Sequence, residues 1–105
     1  MGLKKQFLKS KPVCKVTFRL SAEVAEAAKK VQVVGDFNEW NKKEGVKMKK
    51  LKNGSFKTVV ALETGKSYEY RYLIDGKKWE NDLEADKYVG TPFGTENCVV
   101  DITLN

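Results

Sequence analysis

The fold class is decided by the stretch YEYRYLIDGKKW at residues 68–79. Its three tyrosines alternate with Glu69 and Arg71, and this period of two is typical of a strand with one buried face. The dipeptide Asp75-Gly76 then favours a tight turn, because both residue types tolerate positive backbone φ at little cost. The stretch therefore predicts a β-hairpin with the tyrosines in the core and Arg71 on the opposite, solvent-facing side.

Similar patterns on either side of this hairpin predict further short strands. The dipeptide Asn53-Gly54 predicts a second tight hairpin turn, and residues 21–29 behind a Ser21 cap predict a short helical connector. Residues 81–96 are expected to form a polar loop. The predicted strands are residues 12–20, 31–34, 46–51, 55–62, 67–74, 77–80 and 97–104. About seven short strands with little helix predict an all-β fold, an antiparallel β-sandwich.

Length and charge are those of one small domain with a basic end. The chain has 105 residues, and five lysines without any acidic residue occupy residues 1–15, whereas residues 16–105 carry 15 basic and 14 acidic groups. We therefore predict a basic flexible tail at residues 1–11 and a single, nearly neutral domain at residues 12–105. The N-terminal segment lacks the apolar run of a signal peptide or membrane span.

Several function classes are excluded by residues that are missing. The sequence contains no histidine, which removes the commonest catalytic base and metal ligand. Cys14 and Cys98 form no C-x-x-C pattern and keep phase with apolar neighbours, so they are expected to be buried, reduced thiols of a cytoplasmic protein. The acidic run at residues 80–86 lacks the glycine of a calcium-binding loop. We predict no catalytic residue, no metal site and no cofactor.

Three segments in a fixed order carry a family resemblance: VGDFNEW at 34–40, the stretch at 68–79 and TPFGTEN at 91–97. Together they resemble the family 48 carbohydrate-binding module, also known as the isoamylase N-terminal domain, which forms the glycogen-binding domain of the AMP-activated protein kinase beta subunit. The resemblance covers residues 31–102. It implies an immunoglobulin-like, early-set β-sandwich, and it implies α-1,4-linked glucan as ligand: glycogen, amylose or maltooligosaccharides.

The resemblance also implies a carbohydrate-binding surface. The two tryptophans on which the family stacks sugar rings correspond to Trp40 and Trp79, and its basic strand residue corresponds to Arg71. Its apolar side chain that inserts against the sugar corresponds to Phe93, and its final polar pair corresponds to Thr95 and Asn97. The residue types suit the task, because a glucose ring has apolar C–H faces and a rim of hydroxyls. One departure is a turn one residue longer than in the kinase subunit, which is able to carry Trp79 away from Trp40.

Each of these residues also has a structural interpretation. Trp40 is able to pack in the core beneath its own turn, and Arg71 to pair with an acidic neighbour across the sheet. Thr95 is able to cap a turn and Asn97 to satisfy loop backbone. Asp36 and Asn38 are interpreted as turn formers rather than as catalytic or metal-binding groups.

The leading function prediction is non-catalytic binding of glycogen- or starch-type α-1,4-glucan. The alternative is a protein-interaction or regulatory scaffold domain that acts with a glycan-metabolising enzyme in trans, because exposed aromatic residues also anchor protein interfaces. Nucleic-acid and membrane partners are not expected, since no base-stacking motif or apolar run accompanies the lysines. The protein is expected to be a monomer.

Overall fold

The structure, a computed structural model, describes residues 3–25 and 28–103, with the exception of the Glu44 side chain. Within these residues, ten strands form two antiparallel sheets that pack face to face, which confirms the predicted β-sandwich. The strands are β1 Lys4–Phe7, β2 Val13–Leu20, β3 Val31–Gly35, β4 Val46–Lys47, β5 Lys49–Lys50, β6 Phe56–Glu63, β7 Ser67–Ile74, β8 Lys78–Glu80, β9 Lys87–Gly90 and β10 Glu96–Asp101. The first sheet has the order β1-β2-β6-β5. The second has the order β4-β3-β7-β10-β9, and β8 pairs with β7.

The core between the sheets is built by the alternation predicted from the sequence. Tyr70 and Tyr72 are fully buried, and Tyr70 packs edge-on against Phe18 of β2 at a centroid distance of 4.9 Å. Leu73 is also buried although it points away from this core, because β8 places Trp79 directly beside it. The second sheet is therefore partly covered on both faces.

The sandwich has more strands than the sequence indicated. The segment predicted as one strand at 46–51 divides at Met48, which is buried and donates its N–H to Val31 O at 2.9 Å. Its first half, β4, pairs with β3, and its second half, β5, pairs with β6 in the other sheet. Residues 87–90, expected to lie in a polar loop, form the edge strand β9 against β10. The short helix α1, Ala22–Ala25, begins after Ser21, whose hydroxyl accepts the Val24 N–H at 3.3 Å.

The two predicted turns have different structures. Asp75 and Gly76 both have positive φ, 51° and 69°, as the hairpin prediction required. At the other turn only Gly54 has positive φ, and the Asn53 side chain instead accepts the N–H of Ser55 at 2.9 Å. The hairpin between β5 and β6 is thus confirmed, but a wider turn closes it.

The N-terminal segment differs from the expected flexible tail. Residues 4–7 form β1, which pairs with β2 over four residues. The Lys5 ammonium donates to Asp101 O at 2.8 Å and forms an ion pair with Asp86 at 2.7 Å. The free edge of β2 supplies backbone partners that a lysine-rich sequence does not reveal. No helix in the described part of the chain has the length and apolar character needed to cross a membrane.

A buried carboxylate joins the second sheet to the segment that follows β8. Both the Tyr70 and the Tyr72 hydroxyls donate to Asp82 Oδ2, at 2.9 and 3.1 Å. The Asp82 N–H donates to Cys98 Sγ at 3.0 Å, and the Tyr88 hydroxyl donates to Asp82 O at 2.6 Å. Asp82 therefore ties residues 81–86 to β7, β9 and β10.

Both cysteines are buried free thiols, as predicted. Burial raises the pKa of each, to about 11 for Cys98. Because the thiolate is the reactive form, we expect neither to react quickly with an aromatic disulfide reagent at about pH 8 while the protein is folded. Both should react in denaturant. Rapid labelling of the folded protein would contradict this expectation.

Candidate functional site

A groove of about 560 Å³ lies on the outer face of the second sheet, the face turned away from the core. Strands β7 and β10 supply its floor. Trp79 of β8, the turn after β3 and the hairpin between β9 and β10 supply its walls. The structure brings the six residues predicted for the site together in this groove: Trp40, Arg71, Trp79, Phe93, Thr95 and Asn97.

Trp40 is positioned by an abrupt turn at the end of β3. Gly35 lies so close to β7 that a Cβ there would be 2.3 Å from Glu69 O, which leaves room for glycine alone. Glu39 and Trp40 then adopt left-handed backbone conformations, with φ of 56° and 58°. The Trp40 N–H donates to Gly35 O at 2.9 Å. The chain reverses within this turn, and the half-buried indole lies over the sheet rather than in the core.

Asp36 connects this indole to the floor of the groove. Its Oδ1 accepts the Trp40 Nε1–H at 2.9 Å, and its Oδ2 accepts the Glu69 N–H at 2.8 Å. Asn38 has the turn-forming role assigned from the sequence, since its side chain accepts the Gly35 N–H at 3.0 Å and donates to a β3 carbonyl. Asp36 has a further role, because it sets the position of the Trp40 ring relative to β7.

Trp79 lies beside Trp40, so the longer turn before it does not separate the two rings. Their centroids are 6.4 Å apart, and their planes are inclined by 54°. The pairing of Leu73 with Trp79 across β7 and β8 places the indole on the outer face. The Arg71 guanidinium and the Lys42 ammonium each lie 5.6 Å from the centroid of the Trp79 ring, within cation–π range. Trp79 is thus held between the sheet and basic side chains.

Polar groups surround the aromatic pair. Arg71 donates its Nε–H to Asn81 Oδ1 at 2.9 Å, and no described residue accepts a hydrogen bond from its terminal amino groups. Asn97 donates its amide N–H to Glu69 Oε1 at 3.0 Å. Among the residues that the structure describes, Arg71 therefore pairs with an amide rather than with an acidic residue, and Asn97 bonds to a carboxylate rather than to loop backbone. Both leave hydrogen-bonding capacity towards the groove.

The hairpin between β9 and β10 carries the most exposed aromatic residue of the groove. Phe93 is 88% exposed at the tip. The tip is closed by a bond from the Thr91 N–H to Thr95 O at 2.8 Å, and the two threonine hydroxyls lie 2.8 Å apart. Thr95 thus closes the turn through its carbonyl, whereas the side-chain cap comes from Thr91, whose hydroxyl accepts the Phe93 N–H at 3.2 Å. Core packing does not explain Phe93, because almost all of its ring faces solvent.

Sequence reasoning missed other residues that line the groove, notably Glu69 and Val89. Glu69 has the same strand phase as Arg71, so the alternation in β7 was a signal that could have identified it. Val89 gave no such signal, because its strand was interpreted as loop. Its side chain lies opposite Asn97 on the outer face.

The groove combines the inclined rings of two tryptophans with three polar groups. These are the Arg71 guanidinium, the Asn97 amide and the Glu69 carboxylate. Such a surface can stack against apolar faces and exchange hydrogen bonds with hydroxyl groups. In the residues that the structure describes, no group of three or more acidic, histidine or cysteine side chains is arranged to hold a metal ion.

Comparison with known proteins identifies relatives of this chain in sequence and in fold. Two 1,4-alpha-glucan branching enzymes, from Fusobacterium nucleatum and Bacillus cytotoxicus, are 38% and 36% identical to the chain over 64 residues. The matched region is 61% of this chain and 10% of each enzyme, so the chain spans about a tenth of the length of these curated relatives. An enterobactin esterase from Shigella flexneri contains a similar fold. In its structure with enterobactin, the match covers 97% of this chain and 33% of the esterase, with a TM-score of 0.74 and 13% identity.

The family comparison extends over most of the sandwich. A family model described as the glycogen recognition site of AMP-activated protein kinase matches residues 19–104, from the end of β2 to beyond β10. This match includes the whole turn after β3, both strands of the tryptophan-bearing hairpin and the Phe93 hairpin. With that much of the chain matched, and with the groove formed by the matched segments, the protein belongs to the family of glycogen recognition domains.

Proposed function

We propose that the groove binds α-1,4-linked glucan of the glycogen or starch type without catalysing a reaction on it. The observation that carries this proposal is the geometry of Trp40 and Trp79, whose faces are inclined by 54° at a centroid distance of 6.4 Å. An α-1,4-linked chain curves, so its successive rings present their apolar faces at different angles. A flat β-1,4-linked chain does not match two inclined rings.

The other groove residues then have specific roles. The terminal amino groups of Arg71, the Asn97 amide and the Thr95 hydroxyl contact sugar hydroxyls, and Phe93 packs against a ring from the side of the hairpin. Glu69 adds a carboxylate acceptor that is already oriented by Asn97 at 3.0 Å. A hydrogen bond from a sugar hydroxyl to a carboxylate is stronger than one between two neutral groups, so Glu69 is expected to contribute to the affinity for glucan.

The direct experiment is co-sedimentation with glycogen, amylose and cellulose. We expect binding to the first two with Kd on the order of 10 μM to 1 mM, as suits a shallow site, and none to cellulose. Because glucans are neutral, raising the salt concentration from about 50 to about 200 mM should change the affinity little. Equal binding to cellulose, or a steep loss of glucan binding with salt, would contradict the proposal.

The non-catalytic part of the proposal needs its own measurement. Among the described groove residues, the two threonine hydroxyls bond to one another and no histidine is present to activate either. Prolonged incubation with maltoheptaose should therefore leave the oligosaccharide unchanged in chromatography. Accumulation of shorter or branched products with purified protein would show an activity that the proposal denies.

Asp36→Ala tests whether the position of the Trp40 ring matters for binding. The substitution removes the acceptor of the Trp40 Nε1–H and of the Glu69 N–H. We expect maltoheptaose affinity to fall about fivefold to tenfold, in line with losing about 1 kcal/mol of orienting hydrogen bonds. Titration calorimetry measures the effect, and Glu39→Ala in the same turn is a matched control. Unchanged affinity in a folded Asp36→Ala protein would mean that the turn alone positions Trp40.

A further inference from the structure

The outer face of the first sheet, opposite the groove, carries a cluster of cations that we call the basic face. Alternation along the strands of this sheet and their pairing register place these side chains on one side. The basic face consists of Lys4, Lys15, Arg19, Lys49 and Lys57. Within the described residues, none of the five forms an ion pair through its charged group.

The arrangement of these charges is unfavourable for the isolated sheet. Arg19 of β2 lies directly opposite Lys57 of β6, and Lys57 lies directly opposite Lys49 of β5. Neighbouring strands are about 4.8 Å apart, and like charges directly opposite one another destabilise a sheet. The row of three cations therefore adds repulsion that the fold does not require.

The centre of the same face is uncharged. Val59 is 51% exposed and lies opposite Thr17, and Ala61, two residues further along β6, is also exposed. Lys4, Lys15 and the row of Arg19, Lys57 and Lys49 lie beside these short side chains. At the far end of β6 the same face carries Glu63, which forms an ion pair with Lys66. An uncharged centre with a charged rim is the composition typical of a protein–protein interface.

From this pattern we propose that the basic face docks an acidic protein surface that presents an apolar side chain to Val59. Charge complementarity requires an anionic occupant, and the uncharged, exposed centre favours an occupant that also carries an apolar side chain. Lipid headgroups or duplex phosphates would meet the tips of the lysine and arginine side chains and leave Val59 uncovered. The outward-facing strand residues of the first sheet include no aromatic side chain on which a nucleic-acid base could stack. A protein surface can cover Val59 with an apolar side chain and pair its acidic groups with the surrounding cations.

The position of this face has a consequence for the groove. The two surfaces belong to different sheets and point in opposite directions. A partner on the basic face would leave the groove open, so the two ligands should bind without competing.

The test uses the full chain and a defined probe: a helical peptide with leucines on one face flanked by glutamates. We expect it to bind with Kd on the order of 100 μM, to shift the amide resonances of β2 and β6, and to weaken with salt. The double variant Arg19→Glu, Lys57→Glu should reduce affinity at least tenfold. The matched control Lys30→Glu, Lys77→Glu, with the same change of net charge outside the basic face, should bind as the parent does. Glucan binding by both variants should stay unchanged, which shows that they fold.

The remaining outcomes would overturn the proposal. Absence of peptide binding would remove the basic face as a docking surface. Equal binding of a peptide in which serine replaces every leucine would show that the uncharged centre has no role. Tighter binding to phosphatidylserine-containing vesicles or to duplex DNA, lost in the Arg19→Glu, Lys57→Glu variant, would assign the face to a membrane or a nucleic acid instead.

Discussion

Replacing Trp79 by alanine is expected to abolish most of the affinity for glycogen and maltoheptaose without unfolding the protein. The indole is only half-buried and lies on the outer face beside Trp40. Removing it takes away one of the two inclined stacking surfaces and the ring that the Arg71 guanidinium packs against. Losing a central aromatic contact costs about 2 kcal/mol or more, which is about a thirtyfold loss of affinity.

Calorimetric titration with maltoheptaose measures this loss, and circular dichroism checks the fold. Phe7→Ala is the matched control, because Phe7 is an exposed aromatic residue of β1 outside the groove. It should bind maltoheptaose as the parent protein does. Undiminished glucan binding by a folded Trp79→Ala protein would remove Trp79 from the site and with it the argument from inclined rings.

The second large effect is expected for Asp82→Ala, and it concerns stability. The Asp82 carboxylate is the acceptor for both the Tyr70 and the Tyr72 hydroxyl. Burial above all raises the pKa of both hydroxyls far above the ordinary value, so they remain neutral donors. The next cause is the neighbouring Tyr72 for Tyr70, followed by the Asp82 carboxylate, and the Asp82 carboxylate for Tyr72. Without Asp82 the Tyr70 hydroxyl has no acceptor in the described structure. We expect the free energy of unfolding to fall by about 3 kcal/mol.

Urea denaturation of the parent and variant proteins measures this change. Glu96→Ala, which removes an exposed carboxylate from β10, should change the free energy of unfolding by less than about 0.5 kcal/mol. Adding Tyr70→Phe to Asp82→Ala should recover part of the lost stability, because it removes the hydroxyl that lost its acceptor. A loss below about 1 kcal/mol for Asp82→Ala would mean that water replaces the carboxylate at little cost.

The parts of the fold that were predictable are those whose signal is local. In residues 68–79 the alternation and the Asp75-Gly76 turn are properties of adjacent residues, and both appear in the structure. The edge strands β1 and β9 have no comparable signal. Residues 4–7 become a strand because β2 offers a free edge. The paired residues lie 7 to 13 positions apart in the sequence, from Phe7 with Cys14 to Lys4 with Thr17. The division at Met48 likewise depends on two sheets competing for one segment.

For the candidate site, the residue identities could be predicted from the sequence, but their arrangement could not. The identities of its six residues followed from the resemblance of three motifs to a known family, and the structure places all of them in one groove. Their mutual geometry did not follow. Whether the longer turn separates Trp79 from Trp40 depends on how β8 pairs with β7, and the pairing of Trp79 with Leu73 keeps the rings together. The role of Asp36 in positioning Trp40 could not be predicted from the sequence, because it depends on bridging Trp40 and Glu69, which lie four and 33 residues away in the chain.

The sequence by itself determined the sandwich, its core tyrosines and its reduced thiols, since each rests on short-range alternation or turn chemistry. It indicated the residues of the groove through the resemblance of three motifs to a known family. Only the tertiary structure decided which charges share a surface. Counted along the chain, residues 16–105 are nearly neutral, yet strand register collects Arg19, Lys49 and Lys57 into one row. The net charge is a sum over all residues and does not depend on where they lie. Electrostatic repulsion and recognition depend on the distances between charges, and those distances are set by which strands pair.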